Sequence, residues 1–438
     1  MLLLLTYIQI ILITWLCSGT RAEFGMPMVI ASSLMLMCSL KKIKESKSLF
    51  FSFLCYVLWY IIIVGIIQYV NPFCEVLTNE RFIVLRELEY YDFLPTSILD
   101  EFHNGNAYRS MLEISSVLSV LISCMILFKS RRDMLYVIAF FAINVGVMGI
   151  FAIWQKYNMI PIMYNKFHSN SMFYGSFFLS NAATSFFNLG LVASIAMTFL
   201  LNKTWNKYYK TINIFFILNA IICFVAIFIS DSNAGKILVI ATIFCIPVAI
   251  LFRHILLTYS WRTFSGFVVC FFILIGCIIM SFRHEILHKL TYIDGHKNPI
   301  AVSVSSRIHL YKLVKDCIEE RPVWGSGGYS CQYVLSSKIA NTNKEHELQR
   351  STEHAHSDIL EYIMEYGISI FIIILVGFVL YLREIIIRRP NNASLIFTIG
   401  ILISIIHSCG DMNLHILSTM IASAYVAIAA IYANDVTC

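Results

Sequence analysis

Residues 49–70 read LFFSFLCYVLWYIIIVGIIQYV, a run in which no side chain carries a charge. About 20 residues at 1.5 Å rise cross the hydrocarbon core of a bilayer, so this run reads as a membrane-spanning helix. Similar runs lie on either side, near 2–18, 25–40, 111–128, 135–153, 175–201, 211–229, 237–252, 264–282, 367–382, 394–409 and 413–433. Together they make twelve spans. The chain is 58% hydrophobic and 13% charged, with a mean hydropathy of +0.75. Those values exclude a soluble globular protein and predict one all-α integral membrane protein. The run at 2–18 is followed by Ser18-Gly19-Thr20-Arg21-Ala22, as a signal peptide would be. It carries no leading Lys or Arg and a second apolar run follows, so it reads as a first membrane helix.

Orientation follows from the cations. Lys41, Lys42, Lys44 and Lys47, then Lys129, Arg131 and Arg132, then Lys203, Lys207 and Lys210, then Arg253 and Arg262, then Arg383, Arg388 and Arg389 fall in alternate connections. All fifteen then lie on one face, which is expected to be cytoplasmic together with both termini. The net charge of +6 is thereby a matter of topology and implies no nucleic-acid partner. The opposite face carries residues 71–110, residues 154–174 with Lys156, Lys166 and His168, and the longest connection, 283–366, between the ninth and tenth spans. The expected organisation is therefore 1–282 as nine membrane helices, 283–366 as a large external loop, and 367–438 as the last three helices. Of thirteen cysteines, ten lie in or beside apolar runs, where Cys behaves as a small hydrophobe. Cys74, Cys317 and Cys331 fall outside them, and a Cys317–Cys331 disulfide is open if that side is oxidising.

The external loop carries the polar chemistry. Arg307 opens an amphipathic pattern of Ile308, Leu310, Tyr311, Val314 and Ile318 that ends at Pro322 and the turn Trp324-Gly325-Ser326-Gly327-Gly328. A guanidinium there can grip phosphate in a bidentate fork or touch lipid head groups. Ser357 or Asp358 can cap a helix with the stripe Ile359, Leu360, Ile363, Met364, which places His356 at its N-terminus. The positive helix end favours a neutral imidazole, suited to general-base work, and a capping or solvated His is the plainer alternative. Glu361 and Glu365 read as polar residues leading into the next span. His354, His356 and nearby His346 lack metal-ligand spacing, so no metal is expected. In Ser230-Asp231-Ser232-Asn233-Ala234-Gly235-Lys236, Lys236 is either a snorkelling anchor or a second phosphate contact. His407 and Asp411 near the last outer turn are a weaker pair. The glycine turn lacks the marks of a phosphate loop and no nucleotide motif appears, so no cofactor is expected and the substrate must carry its own activation.

Arg307, Pro322-Val323-Trp324-Gly325-Ser326-Gly327, Ala355-His356-Ser357-Asp358-Ile359-Leu360 and Glu365-Tyr366-Gly367 together resemble the O-antigen ligase/polymerase superfamily. The resemblance implies a GT-C-like enzyme in the bacterial inner membrane with a periplasmic active site. It implies a donor of undecaprenyl-diphosphate-linked glycan, and an acceptor that is a second glycan or lipid A-core, with a chain-length regulator as a further partner. Arg307 and Lys236 would bind the diphosphate and His356 would act on the acceptor hydroxyl, with Asn233, His354 and Arg321 as supporting positions. Where the family has Ser-x-Ser-Arg, this chain has Ser230-Asp231-Ser232-Asn233, and Lys236 lacks the fork of an arginine. A polymerase is slightly favoured over a ligase on overall impression. A lipid-linked-sugar flippase also fits twelve spans, but such transporters place ionisable groups near the midplane, and few are found there.

Overall fold

Inside lipid every backbone N–H and C=O must bond within its own segment, so apolar runs of this length become helices. The computed structural model describes residues 1–16, 22–40, 42, 48–79, 82–99, 107–158, 174–201, 208–258, 292–293, 296–297, 299–341 and 354–436. In chain order these form α1 (Leu2–Trp15), α2 (Ala22–Ser39), α3 (Leu49–Val70), β1 (Pro72–Asn79), β2 (Phe82–Glu87) and β3 (Ser97–Leu99). Then come α4 (Ala107–Leu127), α5 (Arg131–Tyr157), α6 (Ser180–Leu200), α7 (Tyr209–Ile229) and α8 (Asn233–Thr258). The last are α9 (Pro299–Glu320), α10 (Cys331–Asn341), α11 (Asp358–Ile387), α12 (Asn392–Ser408), a 3₁₀ turn (Asn413–His415) and α13 (Leu417–Tyr432). Seven of these helices are long and apolar enough to cross a membrane. Helices occupy eleven of the twelve expected spans. The ninth, 264–282, lies outside the described residues, as do Lys166, His168 and His346.

The helices α1 to α8 and α11 to α13 share one apolar core around α6, most of whose residues are buried. Polar side chains within it are tied across helices: Asn219 of α7 donates to Ala142 O of α5 and to Ser194 Oγ of α6, each at 2.8 Å. Such bonds are worth about 0.6 kcal/mol each in a membrane, so close packing carries most of the association. Basic connections meet at one end of the bundle. There Ser48 Oγ donates to Glu384 Oε1 at 2.8 Å, and Arg253 donates to Pro390 O at 2.8 Å and to Asn392 Oδ1 at 3.1 Å.

The opposite end carries a second, smaller core built from β1, β3, α9, α10 and the start of α11. Here the mostly helical fold carries one small addition: β1, β2 and β3 form a three-stranded sheet of order β2-β1-β3, with β1 antiparallel to β2 and parallel to β3. Interspersed charges such as Glu75, Arg86 and Glu87 hid its apolar positions among what read as a polar connection. Cys74, Cys317 and Cys331 are free thiols buried in this core, so the Cys317–Cys331 disulfide is not formed. Burial pushes Cys317 up to about 11, which leaves an inert protonated thiol. A further correction concerns Arg307. Its helix starts at Pro299, not near Arg307, with proline in the first-turn position it favours.

The two cores are joined by an interlock. At Gly367 the helix α11 breaks, with φ 70° and ψ −171°. The turn after α9 fits into the break: Ser326 N–H donates to Met364 O at 2.9 Å, Gly327 N–H to Glu365 O at 2.8 Å, and Ile368 N–H to Pro322 O at 2.8 Å. A β-carbon at Gly367 would lie 2.1 Å from Val323 O, and one at Gly325 (φ 71°) would lie 2.4 Å from the Glu365 carbonyl carbon. Only glycine meets both the positive φ and the contact. From α4, Ser110 Oγ shares a 2.6 Å hydrogen bond with Tyr366 Oη, and Tyr329 Oη donates to Glu113. Gly325→Ala and Gly367→Ala are each expected to cost more than about 2 kcal/mol, read as a fall in folded yield and melting temperature in detergent. Gly410→Ala, where nothing lies within 4 Å of an added β-carbon, should melt as the native protein does.

Candidate active site

The site forms where four segments meet at the end of the bundle away from the basic connections. Arg307 and Tyr311 are one turn apart on α9, so both face the same neighbour. The Arg307 Nη1 donates to Gly410 O at 2.9 Å, and Tyr311 Oη donates to His356 O at 3.0 Å. His356 stands just before α11 with φ 53°, a left-handed conformation in a residue other than glycine. Its Nδ1 faces Asp411 Oδ1 at 4.0 Å, longer than a hydrogen bond, and the side chain is 38% exposed against 4% for Asp411. Arg307 and His356, far apart in sequence, thus meet on the same Gly410–Asp411 turn.

Asp411 is held from several sides. Asn181 at the start of α6 donates to its Oδ2, the Met412 amide to its Oδ1 at 2.9 Å, and its own carbonyl accepts from Asp358 N–H at 3.2 Å. Burial opposes ionisation of Asp411. The nearness of His356, the Met412 amide and the positive charge of Arg307 outweigh it and hold the carboxyl below its ordinary value. Among the described residues the guanidinium of Arg307 forms no salt bridge, so its charge is not spent on a protein carboxylate.

The other expected positions divide. Thr184, one turn after Asn181 on α6, donates to Ser232 Oγ at 3.4 Å, and Gly235 packs against the same threonine. The Asn233 and Lys236 turn is thereby brought to the same corner as Asp411. Asn233 is exposed and Lys236 half-buried there, while Asp231 pairs with Lys156 at 2.6 Å. Arg321 is engaged within the protein. Its guanidinium stacks on Phe73 at 3.8 Å and donates to Tyr90 Oη at 3.0 Å, anchoring the sheet. His354 points into a buried network instead, with Nδ1 2.8 Å from Glu361 Oε1.

Sequence reading missed that network. His415, on the 3₁₀ turn, lies with Nδ1 2.6 Å from Asp358 Oδ1 and Nε2 3.6 Å from Glu361 and 3.9 Å from Glu365, stacked on Tyr362 at 4.3 Å. Ser357 holds the N-cap position of α11 but makes no side-chain capping bond. Asp358 instead turns to the Leu414 amide at 2.6 Å. Burial works against a charge on His415, but Glu361, the hydrogen bond to Asp358 and the nearness of Glu365 prevail and raise it well above the ordinary imidazole value. The donor atoms of Glu361, Glu365 and His415 lie within 4.8 Å of one another, a set that could hold a divalent cation. It is not the set of histidines weighed from the sequence. In this arrangement a protonated His415 supplies positive charge to the three carboxylates. The signal for it was the spacing 358, 361 and 365, which puts three acids on one helix face. An Asp-x-Asn-x-His run at 411–415 completed it.

Fold and site together define a multi-pass membrane protein with a polar, Arg- and His-bearing site at one end of its helices. Residues 218–375 match the family model described as O-antigen ligase, which supports the resemblance to the O-antigen ligase/polymerase superfamily. The match runs from within α7 into α11. It takes in the Asn233 turn, Arg307, the glycine turn and His356, and leaves out Asn181, Asp411 and His415. A search of curated proteins finds no match to the chain. The family supports a role in O-antigen or surface-glycan biosynthesis.

Because the native value of His415 lies above the roughly 6.5 of an unfolded histidine, its stabilising contribution is complete below about pH 6.5 and fades as pH rises toward the native value. The melting-temperature penalty of His415→Gln is therefore expected to be largest near about pH 6 and to shrink in alkaline buffer. Thermal unfolding in detergent across that range reads it, and a pH-independent penalty would contradict the charged assignment.

Proposed function

We propose that the protein is a membrane glycosyltransferase taking a glycan from an undecaprenyl-diphosphate carrier on the periplasmic face, with the basic end of the bundle in the cytoplasm. The observation that carries this reading is the convergence of Arg307 and His356 on the Gly410–Asp411 turn. Arg307 offers forked donors to a diphosphate. His356 presents Nδ1 to Asp411, so a proton on Nδ1 leaves the Nε2 lone pair free for an acceptor hydroxyl. In the step itself the acceptor oxygen attacks the anomeric carbon and the bond from that carbon to the diphosphate oxygen breaks. The hydroxyl proton passes to His356 Nε2, and the lipid diphosphate leaves with its added charge beside Arg307. Lys236, brought to this corner by α6, serves as the second cation in place of the family's arginine.

Repeat-unit polymerisation is the preferred reaction, in keeping with the sequence reading. The matched family model, described as O-antigen ligase, does not separate the two reactions, and ligation to lipid A-core is the second reading. The glycan profile of a deletion strain separates them, since loss of a polymerase leaves one-repeat lipopolysaccharide and loss of a ligase leaves none. In the same strain, His356→Ala should lower product by about 10²- to 10⁴-fold, as loss of a general base does. Arg307→Lys should lose about 10²-fold or more, because the fork is gone although the charge remains. Immunoblots of membranes must show both variants inserted at native level. An unchanged ladder in the His356 variant would remove the base assignment.

A further inference from the structure

A left-handed backbone strains a residue with a β-carbon and persists only where its surroundings fix it. His356 is such a residue, and it is braced on both sides. Before it, the Ala355 amide donates to Glu361 Oε2 at 2.9 Å, and His354 meets the other oxygen of the same carboxylate. After it, the Asp358 amide donates to the carbonyl of Asp411 at 3.2 Å. The Asp358 carboxylate then takes the Leu414 amide and His415 Nδ1, each at 2.6 Å. Asp358 thus belongs to the segment that carries His356 and grips the segment that carries Asp411.

Its carboxylate and that of Glu361 are 1% exposed, a costly burial for a helix start that Ser357 alone could have capped. The hydrogen bonds of Asp358 do not serve α11 itself. They span from its first turn to residues 411–415, and the separation they fix is that of the imidazole from its carboxylate partner.

We propose that Asp358 and His415, braced by Glu361, are positioning residues that set His356 against Asp411 for proton transfer. The proposal rests on the reading of His356 as the base. None of the three touches the reacting atoms; they act by holding two chain segments in register. A displacement of about 1 Å at a base can cost about 10²-fold in rate, so loosening the clamp is felt at His356 before it is felt at Arg307.

The test uses the full-length protein in detergent, with lipid-linked repeat units extracted from the deletion strain as donor. Asp358→Asn is expected to lower kcat by about 10- to 10²-fold while KM for the donor changes less than about twofold. In a His356→Ala background the same substitution should lower the residual rate less than about twofold, since the ring it positions is already gone. His415→Gln should show the same pattern and stands in should Asp358→Asn fail to fold. Native kcat in both variants, a rise in KM without loss of kcat, or an undiminished effect in the His356→Ala background would overturn the positioning role. Failure of both variants to fold would assign the cluster to stability alone and overturn it equally. A fully active His356→Ala protein would instead remove the base reading, so the two failures are distinguishable.

Discussion

The break in α11 at Gly367 and the turn that fills it hold the molecule together. A helix interrupted near the membrane boundary leaves carbonyls without partners where water is scarce, and each unsatisfied group there is costly. Here the amides of Ser326 and Gly327 supply the missing donors, and Pro322 accepts the amide of Ile368. The glycine turn and the Glu365-Tyr366-Gly367 motif are two halves of one backbone joint. They need glycine because backbone meets backbone without room for a β-carbon. The joint fixes the first two turns of α11 at an angle to the rest, and His356 stands immediately before those turns.

From that joint the site can be assembled. The end of α9 is anchored by Arg321, whose guanidinium lies over Phe73 and whose donors reach Tyr90 and Thr96, so the small sheet becomes the floor against which α9 is set. Arg307, further back on the same helix, then reaches Gly410, and Tyr311 reaches the carbonyl of His356. The 410–415 segment is gripped by Asn181 from α6 and by Asp358 from α11. Two arginines, Arg307 within α9 and Arg321 just past its end, therefore divide the labour. One is consumed in construction, and the other keeps a charge free of any carboxylate salt bridge among the described residues.

The electrostatic arrangement has the same logic. Three carboxylates on one face of α11 would repel one another in a dry site. They are tolerated because His354 and His415 enter from two other segments and the Ala355 and Leu414 amides donate to them. The carboxylates of the cluster are buried, while the neighbouring His356 remains partly open to solvent. A rigid charged bracket beside an accessible imidazole suits chemistry that must keep one group mobile to protons and everything around it fixed.

The chain by itself determined its class, its helices and its motif residues, because hydrocarbon imposes a length and a composition that are read one segment at a time. Alternation of the cations likewise predicts which connections share a face, and among the described residues Ser48 meets Glu384 and Arg253 meets Asn392. Arg307 and His356 stood out in sequence because charge and imidazole are scarce in such a chain. What tertiary structure alone decided was partnership. Asp411, Asn181 and His415 come from helices and turns far from the loop, and their distance along the chain from His356 carries no signal in composition or period. The sheet at 72–99 escaped for a related reason, since charges are interspersed among its apolar positions and the value of those positions lies in covering α9 and α10, which arrive more than two hundred residues later. Spans follow from local free energy of transfer, but a site follows from which distant groups are forced together, and only packing settles that.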